Sequence, residues 1–429
     1  MRLQIHIQRY AHTVLAQGGI LALGITSGIL SARLLKPSGR GILAAVTLWP
    51  LALAFLCSCG LNQAIVYHLS KLRHSYAEIC GAVLTIGAAQ SLIVVLAGML
   101  VLPMALLHYP PDVLRLAFWV LAFTPILILG GYPANLLQAL GHDRAFNFVR
   151  MVAPATFVLG LALLAVVGAG AVGNVVAVQL AGYVAALLIG FGLLIAKVNT
   201  RPKVSRAATR DLMAYGARAQ AANLTTYFNQ RSDQLVLSVL VPPRELGLYA
   251  VAVTLAMAVT FLPQAAGLVA FTDGASQGPE AAKRTIATSF RLSLAWLTAT
   301  CVLLFIAAPF LVSVAFGPTF EGASVACRIL LPGMVAVGLS QVLYAGANAL
   351  GRPALPSLAE AVGMVVTIFG LVVLVPRYGY LAAAAISTVS YITSFVVMIG
   401  LSTTRLGLSV YHLLFQRLDS GIPQVELSI

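Results

Sequence analysis

The chain of 429 residues carries 26 Lys and Arg against 12 Asp and Glu, only 9% charged in all, while 60% of its residues are hydrophobic and its mean hydropathy is +0.95. About a quarter of a soluble domain is charged, so this composition excludes a soluble enzyme, a disordered chain and a secreted disulfide scaffold. The net charge of +14 is therefore read first against a bilayer and only then against nucleic acid.

About 20 apolar residues cross the hydrocarbon core, and a charge at its centre is costly. Stretches free of Asp, Glu, Lys and Arg mark the spans: 10–32, 41–70, 79–111, 116–142, 151–196, 246–272, 292–320, 329–351, 361–376 and 378–404. The first has an apolar core longer than the roughly 7–15 residues of a signal peptide and is read as a retained helix. The stretch 151–196 holds two helices, hinged at the Gly-rich segment 168–174. The stretch 361–376 reaches back to Ala354 if Glu360 lies inside the helix. Eleven helices follow, and a twelfth is sought near 213–240.

With twelve helices and both termini cytoplasmic, 18 Lys and Arg fall in inner loops and 7 in outer ones, with Arg231 inside the membrane. Arg40 is counted with the first outer loop, beside Arg33 and Lys36. The basic excess is thus topological and needs no nucleic acid. Cys57, Cys59, Cys80, Cys301 and Cys327 sit in or near apolar stretches without C-x-x-C spacing and read as inert thiols. No phosphate loop G-x-x-x-x-G-K-[ST] and no H-E-x-x-H occurs, and the histidines are scattered. The expectation is a non-enzyme without cofactor or metal.

The two halves repeat. Leu35-Lys-Pro37-Ser-Gly-Arg40-Gly41 is echoed by Val241-Pro-Pro243-Arg-Glu-Leu-Gly247 at an offset of 206. Gln138-Ala-Leu-Gly141 is echoed by Asn348-Ala-Leu-Gly351 at an offset of 210, each a helix ending on Gly. Tyr183 and Tyr391 give a weaker third match, at 208. Six helices between equivalent points imply parallel repeats about an axis along the membrane normal. The expected fold is all-α and integral to the membrane, with about twelve helices in two six-helix bundles around a central cavity. The lobes are residues 1–204, including the basic linker 197–204, and 205–429. The counterpart of the first span must precede Val241, so 213–240 crosses the membrane.

That segment is strongly polar. Gln220, Asn223, Tyr227, Gln230 or Arg231, and Gln234 recur at three- and four-residue steps and share one helical face. Thr226, Asn229 and Asp233 form an adjacent stripe. Such a helix lines protein or water, not lipid. Arg231 either meets an anionic substrate group in a hydrated cavity or belongs to a structural network with Asp233 and backbone; an external loop is the third reading. The first helix carries a milder stripe of Thr13, Gln17, Gly24, Ser27, Gly28 and Ser31, which suits close packing as well as cavity lining. Asn62, Gln63 and Gln264 are divided between lumen and interhelical hydrogen bonds. Arg150 and Glu360, equivalent at an offset of 210, are a candidate cytoplasmic latch.

Taken together, Leu34-Leu35-Lys-Pro37-Ser-Gly39-Arg-Gly41, Gly60-Leu-Asn-Gln-Ala64, Asp233-Gln-Leu-Val-Leu237, Gly247-Leu-Tyr-Ala250 and the two Ala-Leu-Gly stops resemble the multidrug/oligosaccharidyl-lipid/polysaccharide flippase superfamily, and within it the bacterial Wzx-type polysaccharide transporters. The resemblance spans the whole chain diffusely. It implies first and seventh helices lining a V-shaped cavity, and flipping of polyprenyl-pyrophosphate-linked oligosaccharide across the inner membrane by alternating access. The glycan is left open among O-antigen, capsule, exopolysaccharide and enterobacterial common antigen. Implied partners are that lipid-linked oligosaccharide, membrane lipid, a polysaccharide polymerase and glycosyltransferases. On this resemblance Arg231, Gln230, Gln234, Asn223, Tyr227, Gln17 and Ser27 face substrate, and Asp233 is the carboxylate for proton or cation coupling. A multidrug exporter of the same superfamily and a non-transporting scaffold of polysaccharide assembly are the competing readings.

Overall fold

The computed structural model describes residues 2–71, 74–198, 201–267 and 279–415, and the side chains of these other than 2–14, 70, 221–222 and 279–282. Thr13 of the first-helix stripe and Arg417 of the inner basic set lie outside the described side chains.

The first half of the chain forms α1 (Arg2–Cys57), α2 (Leu61–Ser70), α3 (Tyr76–Ala105), α4 (Pro111–Ala122), α5 (Thr124–Ala139), α6 (Asp143–Val167) and α7 (Val172–Lys197). The second forms α8 (Arg206–Leu240), α9 (Pro243–Met257), α10 (Pro279–Ala315), α11 (Glu321–Ala349), α12 (Ala354–Leu406) and the short α13 (Val410–Phe415). Nine stretches among the described residues are long and apolar enough to cross a bilayer. Two of them are double. α1 breaks at Lys36, at φ 57° and ψ 176°, and restarts at Pro37. Proline's fixed φ suits a first helical turn, and its missing N–H interrupts the helix before it. α12 breaks at Gly379, φ 62° and ψ −148°, a conformation open chiefly to glycine. α8 is long enough to cross but too polar to be among the nine, and it supplies the twelfth span.

Contacts on either side of Lys36 show that α1 doubles back. Gly18 faces Phe261 and Gly28 faces Thr254, so the first half of α1 runs antiparallel to α9 and its continuation. In the second half Trp49 Nε1 donates to Ser238 Oγ at 3.0 Å and Phe55 stacks on Tyr227, an antiparallel course along α8. Because α8 turns into α9 at Val241–Pro242, the two halves of α1 are themselves antiparallel.

The repeat seen in the sequence is also a symmetry of the fold. The Ala-Leu-Gly stops close identically: His142 N–H donates to Leu137 O at 2.9 Å, and Arg352 N–H to Ala347 O at 2.9 Å, with Gly141 and Gly351 at φ 78° and 72°. The two hairpins meet reciprocally at what we call the hairpin end. A Cβ at Gly41 would strike the Pro243 carbonyl, and a Cβ at Gly247 would strike that of Pro37. Only glycine allows these backbones so close. At the same end Arg33 Nε donates to Ala315 O at 2.7 Å, capping the last carbonyls of α10.

The opposite, linker end is held by other contacts. Gly60 and Gly216 abut with no room for a side chain, Tyr67 stacks on Tyr215 with ring centroids 4.2 Å apart, and His74 Nε2 lies 2.9 Å from Asp211 Oδ2. Large apolar side chains such as Leu100, Met104, Val166, Ile306 and Phe310 point outward and form the lipid-facing surface.

Candidate functional site

Between the two lobes lies a cavity of about 860 Å³, walled by both halves of α1, by α2, α5, α6, α7, α8 and by α9 with its continuation. The α8 face Gln220, Asn223, Tyr227, Arg231 and Gln234 lines it, as its three- and four-residue spacing predicts. Gln17 and Ser27 line it from α1. Asn62, Gln63 and Gln264 also face the lumen, and Asn135 Nδ2 donates to Asn62 Oδ1 at 2.8 Å.

Gln230 is placed elsewhere. It lies half-buried on the flank of α8, outside the cavity lining, because one helical step turns it about 100° from Arg231. Asp233 also points away, into the packing of the second lobe. Its carboxylate accepts from Tyr249 Oη at 2.5 Å, Ser387 Oγ at 3.1 Å and the Gln234 N–H at 2.7 Å. On the same side Asn229, 1% exposed, donates to Glu360 Oε2 at 2.6 Å and accepts from Thr367 and Ser390, each at 2.8 Å. These donors satisfy buried groups that would otherwise carry a large desolvation penalty.

Arg150 and Glu360 are not joined. Arg150 Nη2 donates to Gln17 Oε1 at 3.0 Å and its guanidinium lies over the Phe146 ring, 5.0 Å from the centroid. Glu360 is buried against Asn229 in the other lobe. Equivalence by repeat fixes their places within each lobe, and the lobes' own packing gives each a nearer partner.

Arg231 makes no hydrogen bond among the described residues and presents a bare guanidinium to the lumen. No Asp or Glu lines the cavity among those residues, so its charged lining is cationic. Amide side chains (Gln17, Gln63, Gln220, Asn223) cluster toward the linker end. The aromatic rings of Phe55 and Tyr227 stack between the lobes, centroids 3.9 Å apart at 12°. Amides, a ring pair and a cation together give the lumen a polar, positively charged lining.

Two features escape the sequence. The second span is broken at Cys59–Gly60, both at positive φ, and at the break the Ser58 carbonyl accepts from both Leu61 N–H and Gln90 Nε2, each at 3.0 Å. The Gln90 Oε1 in turn accepts from Tyr132 Oη. Arg40 is the other: it is not an outer-loop charge but lines the cavity. The new helix starts at Pro37, so Arg40 already sits in its first turn, whereas a charge-free stretch can begin only after it.

A family model described as "Polysaccharide biosynthesis protein" matches residues 10–271. No curated protein matches the chain by sequence. Among solved structures, "Lipid II flippase MurJ, inward closed conformation" superposes with a TM-score of 0.75 at 12% identity, over 91% of this chain and 87% of the other. An "Inward-facing conformation of a multidrug resistance MATE family transporter of the MOP superfamily" gives 0.73 at 14% identity, over 92% and 98%. An "Outward-facing conformation of a multidrug resistance MATE family transporter of the MOP superfamily" gives 0.67 at 13% identity, over 94% and 95%. At these identities the likeness is one of fold.

Proposed function

Because the chain belongs to the polysaccharide biosynthesis protein family, we propose that it is a flippase of the bacterial inner membrane, moving a polyprenyl-pyrophosphate-linked oligosaccharide across the bilayer by alternating access. The observation that carries this reading is the bare Arg231 guanidinium in a cavity whose described lining holds no carboxylate. Sugars and a diphosphate cannot enter hydrocarbon without losing their water at a large penalty. A hydrated lumen with amides, stacked rings and a cation replaces that water, while the polyprenyl chain stays in lipid. The same lumen ill suits a cationic drug, which a membrane carboxylate would have to neutralise.

The linker end is assigned to the cytoplasm by its basic residues, with both termini on that side. The lobes 1–204 and 205–429 are the bodies that rock. The reciprocal Gly41–Gly247 seam closes one end, and the Gly60–Gly216 and Tyr67–Tyr215 contacts hold the other. Asp233 is the proposed coupling carboxylate: neutralising it weakens a three-donor site that ties α8 to α9 and α12, the helices of the second lobe that must move together.

The test is complementation of a strain lacking its polysaccharide flippase, with wild type, Arg231→Lys and Arg231→Ala compared at matched expression. Rescue by wild type, partly kept by Lys and lost with Ala, is expected. Undiminished rescue by Ala would keep the flippase and remove Arg231 from the substrate path, leaving it a structural role. Drug resistance conferred by wild type without glycan export would favour the multidrug exporter.

A further inference from the structure

Arg40 follows Pro37 by three residues and faces the cavity beside Leu43, Ala44 and Thr47. Its Nε is sealed from solvent, and its guanidinium has no hydrogen-bond partner among the described residues. A half-buried cation that faces a cavity without a protein partner carries a desolvation cost that the surrounding fold does not offset. The architecture does not demand it. At the repeat offset of 206 the equivalent position is Leu246, a fully buried aliphatic side chain in the same hairpin setting. A cation at this position is therefore a property of this site rather than of the hairpin.

Its placement separates it from Arg231. Trp49 against Ser238 and Phe55 against Tyr227 set the level of Arg231 between residues 49 and 55 of α1. Arg40 is then about 12 residues, or about 18 Å, nearer the hairpin end. The two helices run antiparallel, and helical side chains lean toward their own N-terminus, so the two arginines lean apart. A single diphosphate cannot rest on both at once.

Resting on the flippase reading above, we infer that Arg40 is a second anion-binding station at the hairpin end of the cavity, taking a phosphate or carboxylate group of the lipid-linked substrate. The substrate's charge is thus met twice along its path, first by Arg231 on the second lobe and then by Arg40 on the first. The second station adjoins Gly41, whose backbone contact with Pro243 closes that end, so an anion held there lies directly beneath the seam that must part to release it.

The experiment is equilibrium dialysis of the purified full-length protein in lipid nanodiscs, with radiolabelled inorganic pyrophosphate and, separately, glucuronate as probes. Wild type is expected to hold two pyrophosphates, Arg40→Gln and Arg231→Gln one each, and the double variant none; Arg40→Lys keeps the second. Glucuronate that competes only for the station lost in Arg40→Gln identifies a sugar carboxylate as its ligand, and no competition identifies phosphate. Thermal unfolding without probe guards against misfolding: relief of a partnerless charge leaves Arg40→Gln as stable as wild type or more so. If wild type holds one pyrophosphate, lost only in Arg231→Gln, or if Arg40→Gln keeps both, the second station is overturned while the flippase reading stands. One pyrophosphate in wild type, lost in Arg40→Gln and kept in Arg231→Gln, sinks the contact proposed for Arg231 and keeps the station at Arg40.

Discussion

The first half of α1 and α8 are repeat-equivalents that present the same positions to the cavity and fill them with different chemistry. At the offset of 206, lining residues Gln17, Leu21, Ile25 and Gly28 correspond to Asn223, Tyr227, Arg231 and Gln234. The first pair is alike. At the other three, α1 has aliphatic or no side chains where α8 has an aromatic, a cation and an amide. The neighbouring pair continues the contrast. Ser27 Oγ donates to Gly24 O of its own helix at 2.9 Å, whereas its counterpart Asp233 ties α8 to Tyr249 and Ser387. Symmetry therefore governs the scaffold, and asymmetry governs what the cavity can hold. The hairpin residues repeat the lesson with the lobes exchanged, Arg40 standing opposite Leu246.

The hairpin seam is the strictest test of the symmetric part. Gly41→Val and Gly247→Val each drive a side chain into a backbone carbonyl that has no flexible end to yield, and overpacking of this kind costs about 1–3 kcal/mol. Each is expected to cut glycan export more than tenfold in cells, and by equal amounts. The double variant should be no worse than either, since both strain one contact. Unequal single effects would mean that the two hairpins carry different loads.

Exchanging the cavity cation between lobes tests the asymmetric part. Arg231→Ile should lose most export, and Ile25→Arg added to it returns a cation at the same position on the opposite wall. Recovery to within a few-fold of wild type would show that charge in the lumen is sufficient. No recovery would show that the cation must travel with the second lobe.

For Asp233, whose carboxylate points away from the cavity, the expected change is one of stability. Asp233→Ala strands the buried Tyr249 and Ser387 hydroxyls and the Gln234 N–H, at about 1–3 kcal/mol for each unsatisfied group. Ser27→Ala removes only a bond to its own helix and should stay within about 0.5 kcal/mol. Denaturant titration in detergent micelles, with Asp233→Asn as the variant that keeps an acceptor, separates the two. A loss for Ser27→Ala as large as that for Asp233→Ala would contradict the difference between the helices.

Much of this was legible in the residues. The Ala-Leu-Gly stops, the Pro–Gly hairpins and the polar face of α8 follow from backbone chemistry and helical period, which are local. Arg40 was hidden because absence of charge marks only where a span has already begun. Gln230 was drawn to the cavity because steps of three and four admit two neighbours, and only the actual rotation of α8 chooses Arg231. The separation of Arg150 from Glu360 depends on how the lobes dock, and no pattern within either lobe specifies that. The helix break at Cys59–Gly60 is stabilised by Gln90, more than 30 residues away, and so has no local signature.

The smallest effect belongs to Tyr227, whose counterpart is Leu21. Its ring stacks on Phe55 across the lobes, and such a pair is worth about 0.5–1.5 kcal/mol beyond area burial. Tyr227→Phe keeps the stack and removes only the hydroxyl, so export should change less than about two-fold, one RT or less in the barrier. Tyr227→Leu makes α8 resemble α1 here and loses the stack, and a fall of about two- to tenfold is expected from the same energy range. Phe55→Leu should match it, and the Phe55→Leu/Tyr227→Leu pair should fall no further. If the loss instead follows the hydroxyl, with Phe as damaging as Leu, then Tyr227 acts by hydrogen bonding to the ligand and the stack between lobes is incidental.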